Sequence, residues 1–369
     1  MTNILFVHSS SELYGSDRSL LNIVKNIDKS KYNIYVILPC EGPLVDEMRK
    51  IPGVTTAIFE IAVLRRKNLS VVGVLRYIKE FVTSFKFIKK FIHEYKIDVV
   101  DTNTAVVFPG AVAAKYCKIK SVWHIREIIK SNTENKVVSF MMNTFADLII
   151  ANSKTTAKAL AVDQRKIRVV YNAVEEQENT YHAPNQSLIV GMAGRINRWK
   201  GQKFFVDAAE IVHKKFPEVI FHIAGEAYTG ESYLKEDLKE YIARRNLSDT
   251  VLLLGQVDNM CEFYQNISIF VLPSIQPEPF GLVVIEAMEY GLPVIATKHG
   301  GPVEIISDGV DGYLVDYKDP SEMACRIMEL IQDSDKSRRM GERGKEKKRS
   351  VFSVSTMIQG IECVFEELL

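Results

Sequence analysis

Short apolar runs and helix-period stretches take turns along the whole chain. In the first half the runs are "NILFVHSS", "YNIYVILP", "IDVVDTN", "KSVWHIRE", "DLIIANS" and "IRVVYNAV"; "SLLNIVKNI", with apolar residues at helical spacing, separates the first two. The runs are continuous rather than alternating, which predicts strands buried on both faces, in a parallel sheet covered by helices on either side. After Val174 the period fails over "EEQENTYHAPNQS". A fresh apolar strand then opens at "LIVGMAGRI", and the theme repeats in "VIFHIAGEA", "TVLLLGQV", "IFVLPSI" and "LPVIAT". The expected fold class is α/β, with two Rossmann-like, doubly wound parallel-sheet domains at residues 1–174 and 188–352, joined by a linker at 175–187. The last segment, 353–369, has its apolar residues at helical period and is expected to close the chain as a helix able to pack back on the first domain. Sheets of this kind bind ligands beyond the carboxyl ends of their strands, so chemistry is expected in a cleft between two facing domains.

Composition narrows the function classes. The 369 residues are 47% hydrophobic and 25% charged, an ordinary globular balance with room for two cores. A formal net charge of +1 supplies no global field toward nucleic acid or membrane, and no nucleic-acid partner is expected. Five dispersed cysteines, Cys40, Cys117, Cys261, Cys325 and Cys363, suit neither a zinc site nor a disulfide framework, which points to a reducing cytoplasm. No leader or spanning segment is evident. Two charged stretches stand out. "SRRMGERGKEKKRS" reads as the solvated face of a helix. Residues 65–97 carry nine Lys or Arg against two Glu, a local +7, with Leu75, Ile78, Val82, Phe85, Ile88 and Ile92 at helical steps. That stripe can cover the first-domain sheet, and the interleaved cations can meet water or an anionic bilayer, making the inner face of the membrane a candidate peripheral location.

Candidate chemistry gathers in "EPFGLVVIEAM". Glu278 falls in a proline-rich loop after a buried strand, and Glu286 about one turn into a helix that begins near Gly281. Free amides at such a helix start suit a phosphate, and a carboxylate one turn in suits the paired hydroxyls of a ribose. "AGRINRWKGQ" adds Arg195 and Lys200 on a strand-to-helix loop, two cations able to neutralise a diphosphate. In the first half, "SSELYGSDRSLL" offers Gly15 for close backbone approach, with Ser16 or Asp17 as helix cap. His8 at a strand end is read as structural. The pair Gly300–Gly301 fits either a tight turn or a ligand contact.

On these motifs, together with "GGPVEIISDGVDGYLV" after "LPVIAT", the chain resembles the family 4 retaining glycosyltransferases, which have the GT-B fold of two Rossmann domains. The similarity covers nearly the whole chain and is stronger from about residue 190 to 315. It implies transfer of a sugar from a nucleotide diphosphate sugar, uridine favoured over guanosine, to a hydroxyl of a glycan or lipid-linked acceptor, in surface-polysaccharide or cell-envelope synthesis. It implies that Glu278, His124, Arg195 and Lys200 serve catalysis. Glu286, the backbone of Phe280, Gly281 and Leu282, the stretch Gly255, Gln256 and Val257, and Gly15 with Ser16 would hold the donor, with Asn103 nearer the acceptor. A second glycine common in the first loop is Ser16 here, and the residue after Asn172 is Ala173 rather than glycine. The family's favoured route is same-face displacement through a short-lived oxocarbenium ion, with the leaving phosphate taking the acceptor proton and no metal or cofactor. A sugar-nucleotide epimerase of the same form, or a nucleotide-binding module without turnover, are the alternatives. A dinucleotide oxidoreductase lacks its glycine fingerprint here.

Overall fold

The computed structural model describes residues 1–64, 70–129, 132–177, 188–228 and 230–369. The chain divides into two compact units: unit 1 comprises Met1–Ala173 with Val354–Leu369, and unit 2 Val174–Ser353. Most of the expected linker, residues 178–187, and the first basic residues of the 65–97 stretch lie outside the described residues.

Unit 1 is built on the strands β1 (Thr2–His8), β2 (Tyr32–Leu38), β3 (Val54–Ile58), β4 (Val99–Asn103), β5 (Lys120–Ile125), β6 (Leu148–Ala151) and β7 (Ile167–Val169). All neighbouring strands pair in parallel, in the order β3-β2-β1-β4-β5-β6-β7. Its helices are α1 (Gly15–Asn26), α2 (Pro43–Arg49), α3 (Val71–Glu94), α4 (Pro109–Cys117), α5 (Asn132–Phe145) and α6 (Lys154–Ala159). Unit 2 repeats the plan with β8 (Ile189–Ala193), β9 (Ile220–Ala224), β10 (Val251–Gly255), β11 (Ile269–Leu272), β12 (Val294–Thr297) and β13 (Tyr313–Val315), in the parallel order β10-β9-β8-β11-β12-β13. Between them run α7 (Gln202–His213), α8 (Tyr233–Ala243), α9 (Met260–Asn266), α10 (Leu282–Glu289), α11 (Pro302–Ile305), α12 (Pro320–Gln332) and α13 (Ser334–Val351). The last helix, α14 (Val354–Leu368), belongs to unit 1. Continuous apolar strands such as Ile4–Val7 and Ile269–Leu272 are buried on both faces, as a doubly wound sheet requires.

In each sheet the strand order reverses once, between β1 and β4 in unit 1 and between β8 and β11 in unit 2. At such a point the two crossovers leave to opposite faces and open a crevice beyond the strands' carboxyl ends. This topology positions His8 and Asn103 at one reversal, and the loops bearing Lys200 and Glu278 at the other.

Three local expectations are corrected. Neither Ser16 nor Asp17 is the N-cap of α1: the cap position is Tyr14, and Asp17, three residues on, reaches back to accept a hydrogen bond from the Tyr14 amide at 2.9 Å. The charged segment is helical but not merely solvated. Met340, Gly341, Gly344 and Lys348 of α13 are buried, one turn apart, and at Gly341 a Cβ would meet the Gly291 carbonyl oxygen at 1.8 Å. That close approach buries Lys348 against Glu289 of α10, Nζ to Oε2 2.6 Å, with both side chains almost fully enclosed. The apolar stripe of α3 is also divided: Ile88, Phe91 and Ile92 enter the core, whereas Leu75, Ile78 and Val82 stay exposed. The closing helix α14 packs on unit 1, where Phe365 meets the rings of Phe6 and Tyr32 edge-on.

Candidate active site

In unit 2 the loop after β8 carries Lys200 and the loop after β11 carries Glu278. The Lys200 Nζ donates to Glu278 Oε1 at 2.6 Å, and the Ser274 hydroxyl donates to the same oxygen. Ser274 is itself fixed, because its carbonyl accepts from the Thr297 hydroxyl and from His299 Nε2, each at 2.6 Å. Burial pushes the Glu278 carboxyl up, but the Lys200 charge and hydrogen bond, the Ser274 hydroxyl and nearby His299 outweigh it, leaving the group below its ordinary value and ionised. The Glu278 backbone is clamped as well. It forms a bridge with Gly300, its carbonyl accepts from the Gly301 amide at 2.8 Å, and at Gly300 (φ +73°) a Cβ would stand 2.4 Å from the Glu278 carbonyl oxygen. That close approach favours the turn reading of Gly300–Gly301 as a structural fact.

The other expected donor residues surround this pair unevenly. Glu286 lies on α10, and its Oε2 accepts from the Tyr264 hydroxyl at 2.8 Å. Gly281 is the N-cap of α10 and Leu282 its first residue, while Phe280 is buried with its ring edge-on to Phe352. The Arg195 guanidinium stacks 3.4 Å over the Tyr228 ring beyond β9, so the structure joins Lys200, not Arg195, to Glu278. Gly255 ends β10, and Gln256 and Val257 line a cavity of about 600 Å³ on the β8–β10 side of the sheet, together with His222 and Phe263.

Unit 1 places a different kind of site at its reversal. His124 at the end of β5 and Asn103 at the end of β4 are register partners, and Arg126 binds both. Its Nε donates to Asn103 Oδ1 at 3.2 Å, and its Nη2 lies 3.3 Å from His124 Nδ1. Its Nη1 donates to the Ser19 hydroxyl and to Asn172 Oδ1, so Arg126 also fastens α1 to the segment leaving β7. His124 and Asn103 are fully buried. Burial and the Arg126 charge press the His124 imidazole down to about 4 against the pull of Asp101, so it is neutral at physiological pH. Burial likewise lowers Arg126 to about 10 despite Asp101, Glu127 and Asp17, and it remains a cation. His8 Nε2 donates to Asp17 Oδ1 at 2.7 Å, which ties the loop of Gly15 and Ser16 to β1. Gly15 is exposed as the first residue of α1, and the Ser16 hydroxyl reaches Asp17 at 3.4 Å. Sequence pattern does not single out Arg126, Asp101, Ser274 or His299. The nearest signals are "HIRE", with Arg126 two residues beyond His124, and "KHGG" ahead of Gly300.

Two crevices at strand-order reversals, one beside a cation–carboxylate pair at a helix start, mark a doubly wound α/β protein of the ligand-binding type, and sequence comparison gives the family. The model for Glycosyl transferases group 1 matches residues 173–347, and that for Glycosyltransferase Family 4 matches residues 14–178. The chain belongs to the family 4 glycosyltransferases and has their GT-B fold. Among its relatives, an uncharacterized glycosyltransferase of Methanocaldococcus jannaschii is 29% identical over 79% of this chain and 82% of its own. The Escherichia coli UDP-Gal:alpha-D-GlcNAc-diphosphoundecaprenol alpha-1,3-galactosyltransferase is 24% identical over 87% of this chain and 86% of its own. Anabaena HepE, solved in complex with UDP and glucose, superposes over 100% of both chains with a TM-score of 0.85 at 25% identity.

Proposed function

We propose that this glycosyltransferase moves a sugar from a UDP-sugar to a hydroxyl of a glycan or lipid-linked acceptor, with retention of anomeric configuration and without a metal. The observation that carries the reading is the Lys200–Glu278 pair at the reversal of unit 2. Without donor, the ammonium and carboxylate satisfy each other. An arriving diphosphate offers Lys200 a doubly charged partner, and the exchange frees Glu278 to accept hydrogen bonds from hydroxyls of the transferred sugar. As the glycosidic bond breaks, charge grows on the leaving phosphate, where Lys200, Arg195 and the first amides of α10 oppose it. The phosphate oxygen then takes the acceptor proton on the face it leaves. These protein cations supply the compensation that a divalent ion supplies elsewhere. Glu286, steadied by Tyr264, is assigned to the ribose hydroxyls. Neutral His124 and Asn103 are assigned to the sugar and the acceptor.

UDP in the HepE complex and UDP-Gal in the galactosyltransferase name support a uridine donor. The test is a panel of UDP- and GDP-sugars scored by thermal stabilisation, followed by proton NMR of the product made with the best donor. Stabilisation by UDP-sugars and an anomeric signal matching the donor's are expected. No stabilisation by any nucleotide sugar, or an inverted product, overturns the reading. An isomerised donor without acceptor would mark an epimerase.

A further inference from the structure

The outer face of α3 has no place in the reading above. Its first half exposes Val72 (77%), Leu75 (65%), Ile78 (52%) and Val82 (43%) at spacings of three and four residues, one continuous apolar ridge. Its inner face is occupied otherwise: Ser84, Ile88, Phe91 and Ile92 are buried, and the Ser84 hydroxyl accepts from the Ala62 amide at 2.9 Å. The ridge is therefore not a core stripe left over by packing.

Cations flank and prolong it. Lys79, Lys86 and Lys90 are exposed, with no acidic partner within ion-pair distance among the described residues, whereas Arg76 is matched by Glu80 at 2.8 Å. The helix carries five Lys or Arg against two Glu, a local +3 in a chain of +1. The same turns of α3 border a cavity of about 730 Å³ beyond the carboxyl ends of β1–β3, lined by Ser9, Ser10, Ser11 and Glu60 with Arg76 and Glu80. One helix thus joins an apolar ridge, a cationic flank and a hydroxyl- and carboxylate-lined hollow.

We propose that the outer face of α3 docks unit 1 on an anionic lipid surface. The ridge sinks among the acyl chains' first carbons, Lys79, Lys86 and Lys90 meet headgroup phosphates, and the hollow beside Val72 and Arg76 opens at the depth of the polar headgroups. Charge complementarity selects lipid over a protein partner, because the flank offers unpaired cations to a dense anionic plane. In the described residues no helix is long and apolar enough to cross a membrane, so the contact is lateral.

The test is cosedimentation of the full chain with vesicles of about one-third phosphatidylglycerol in phosphatidylcholine, at low salt and at about 0.5 M salt. Wild type should sediment at low salt and be largely released at high salt. Leu75→Ser with Ile78→Ser should lower partition about tenfold or more. Lys86→Glu with Lys90→Glu should lower it about fivefold or more per lysine and abolish the salt dependence. All four positions are exposed, so melting temperatures and UDP-induced stabilisation should match wild type, which separates failure of docking from failure of the donor assignment. Wild type staying in the supernatant at low salt, or either double variant sedimenting like wild type, overturns the proposal. So does light scattering that finds a wild-type dimer and a monomeric Leu75→Ser, Ile78→Ser variant, since the ridge would then cover a second copy.

Discussion

The two strand-order reversals solve the same topological problem with opposite electrostatics. In unit 2 the reversal holds a salt bridge between side chains that still see solvent, Lys200 at 21% and Glu278 at 11% exposure. Such a pair is ready to be exchanged, because a phosphate can reach the lysine without unfolding anything. In unit 1 the reversal holds one buried guanidinium that bonds four groups from four segments, and a histidine kept neutral beside it. Charge there is tied down, and its removal leaves buried partners unmatched. The contrast teaches that unit 2 keeps its charges paired within reach of solvent, whereas unit 1 holds strand ends and α1 in fixed register around Asn103 and His124.

The largest effect should come from breaking the exchangeable pair. Lys200→Ala combined with Arg195→Ala should lower turnover by ~10²–10³ or more, read as nucleoside diphosphate release, while the circular dichroism spectrum stays that of wild type. Near-normal turnover would remove both cations from the mechanism. Glu278→Ala should act on turnover in the same direction.

Breaking the fixed knot should show in stability instead. Arg126→Ala leaves the buried Asn103 Oδ1 without its donor and buried Asp101 without the Arg126 charge, while Asn172 Oδ1 keeps only the Ser19 hydroxyl, so a loss on the order of 3 kcal/mol is expected in urea unfolding. Arg126→Lys, which keeps the charge but not the fork, should recover only part of it. An Arg126→Ala chain as stable as wild type would show the knot to be dispensable.

A pH series sharpens the same contrast. The unfolded chain protonates His124 near 6.5, the folded chain only near 4, so the stability supplied by its neutral form is complete above pH 6.5 and drains away as pH falls toward 4. The full span is on the order of 3 kcal/mol. Glu127, whose carboxyl burial raises, opposes this slope in both chains, so the comparison of His124→Asn with wild type isolates the histidine. The variant's unfolding midpoint should vary less between pH 6.5 and 4.5. Equal slopes would mean that His124 titrates normally.

Smaller still, Tyr264→Phe removes the hydroxyl donor to Glu286 and should weaken donor binding by about five- to tenfold with little change in turnover, a split read from KM and kcat. The smallest effect expected is none: excess chelator should leave the rate unchanged, and rescue by magnesium after a loss would overturn the metal-free assignment.

How much of this was legible in the chain follows from how far each signal reaches. Continuous apolar strands and the helical spacing between them are short-range patterns, so the two parallel sheets, the loops carrying Lys200 and Glu278 and the helix carrying Glu286 could be placed from sequence, and the family resemblance added His124 and Asn103. The charged run at α13 misled because its buried face is written in small residues and one lysine, Gly341, Gly344 and Lys348, not in apolar ones. Arg126 gave no signal beyond its neighbour His124, since three of its partners, Ser19, Asn103 and Asn172, are distant in sequence. Sequence alone determined the layer architecture and the chemistry available, because hydrophobic period and residue type are local. Only the tertiary structure decided which charges are paired or neutralised, and which half of α3 faces out. Those outcomes depend on contacts such as Lys200 with Glu278, 78 residues apart, and on how much water each group loses when the chain closes around it.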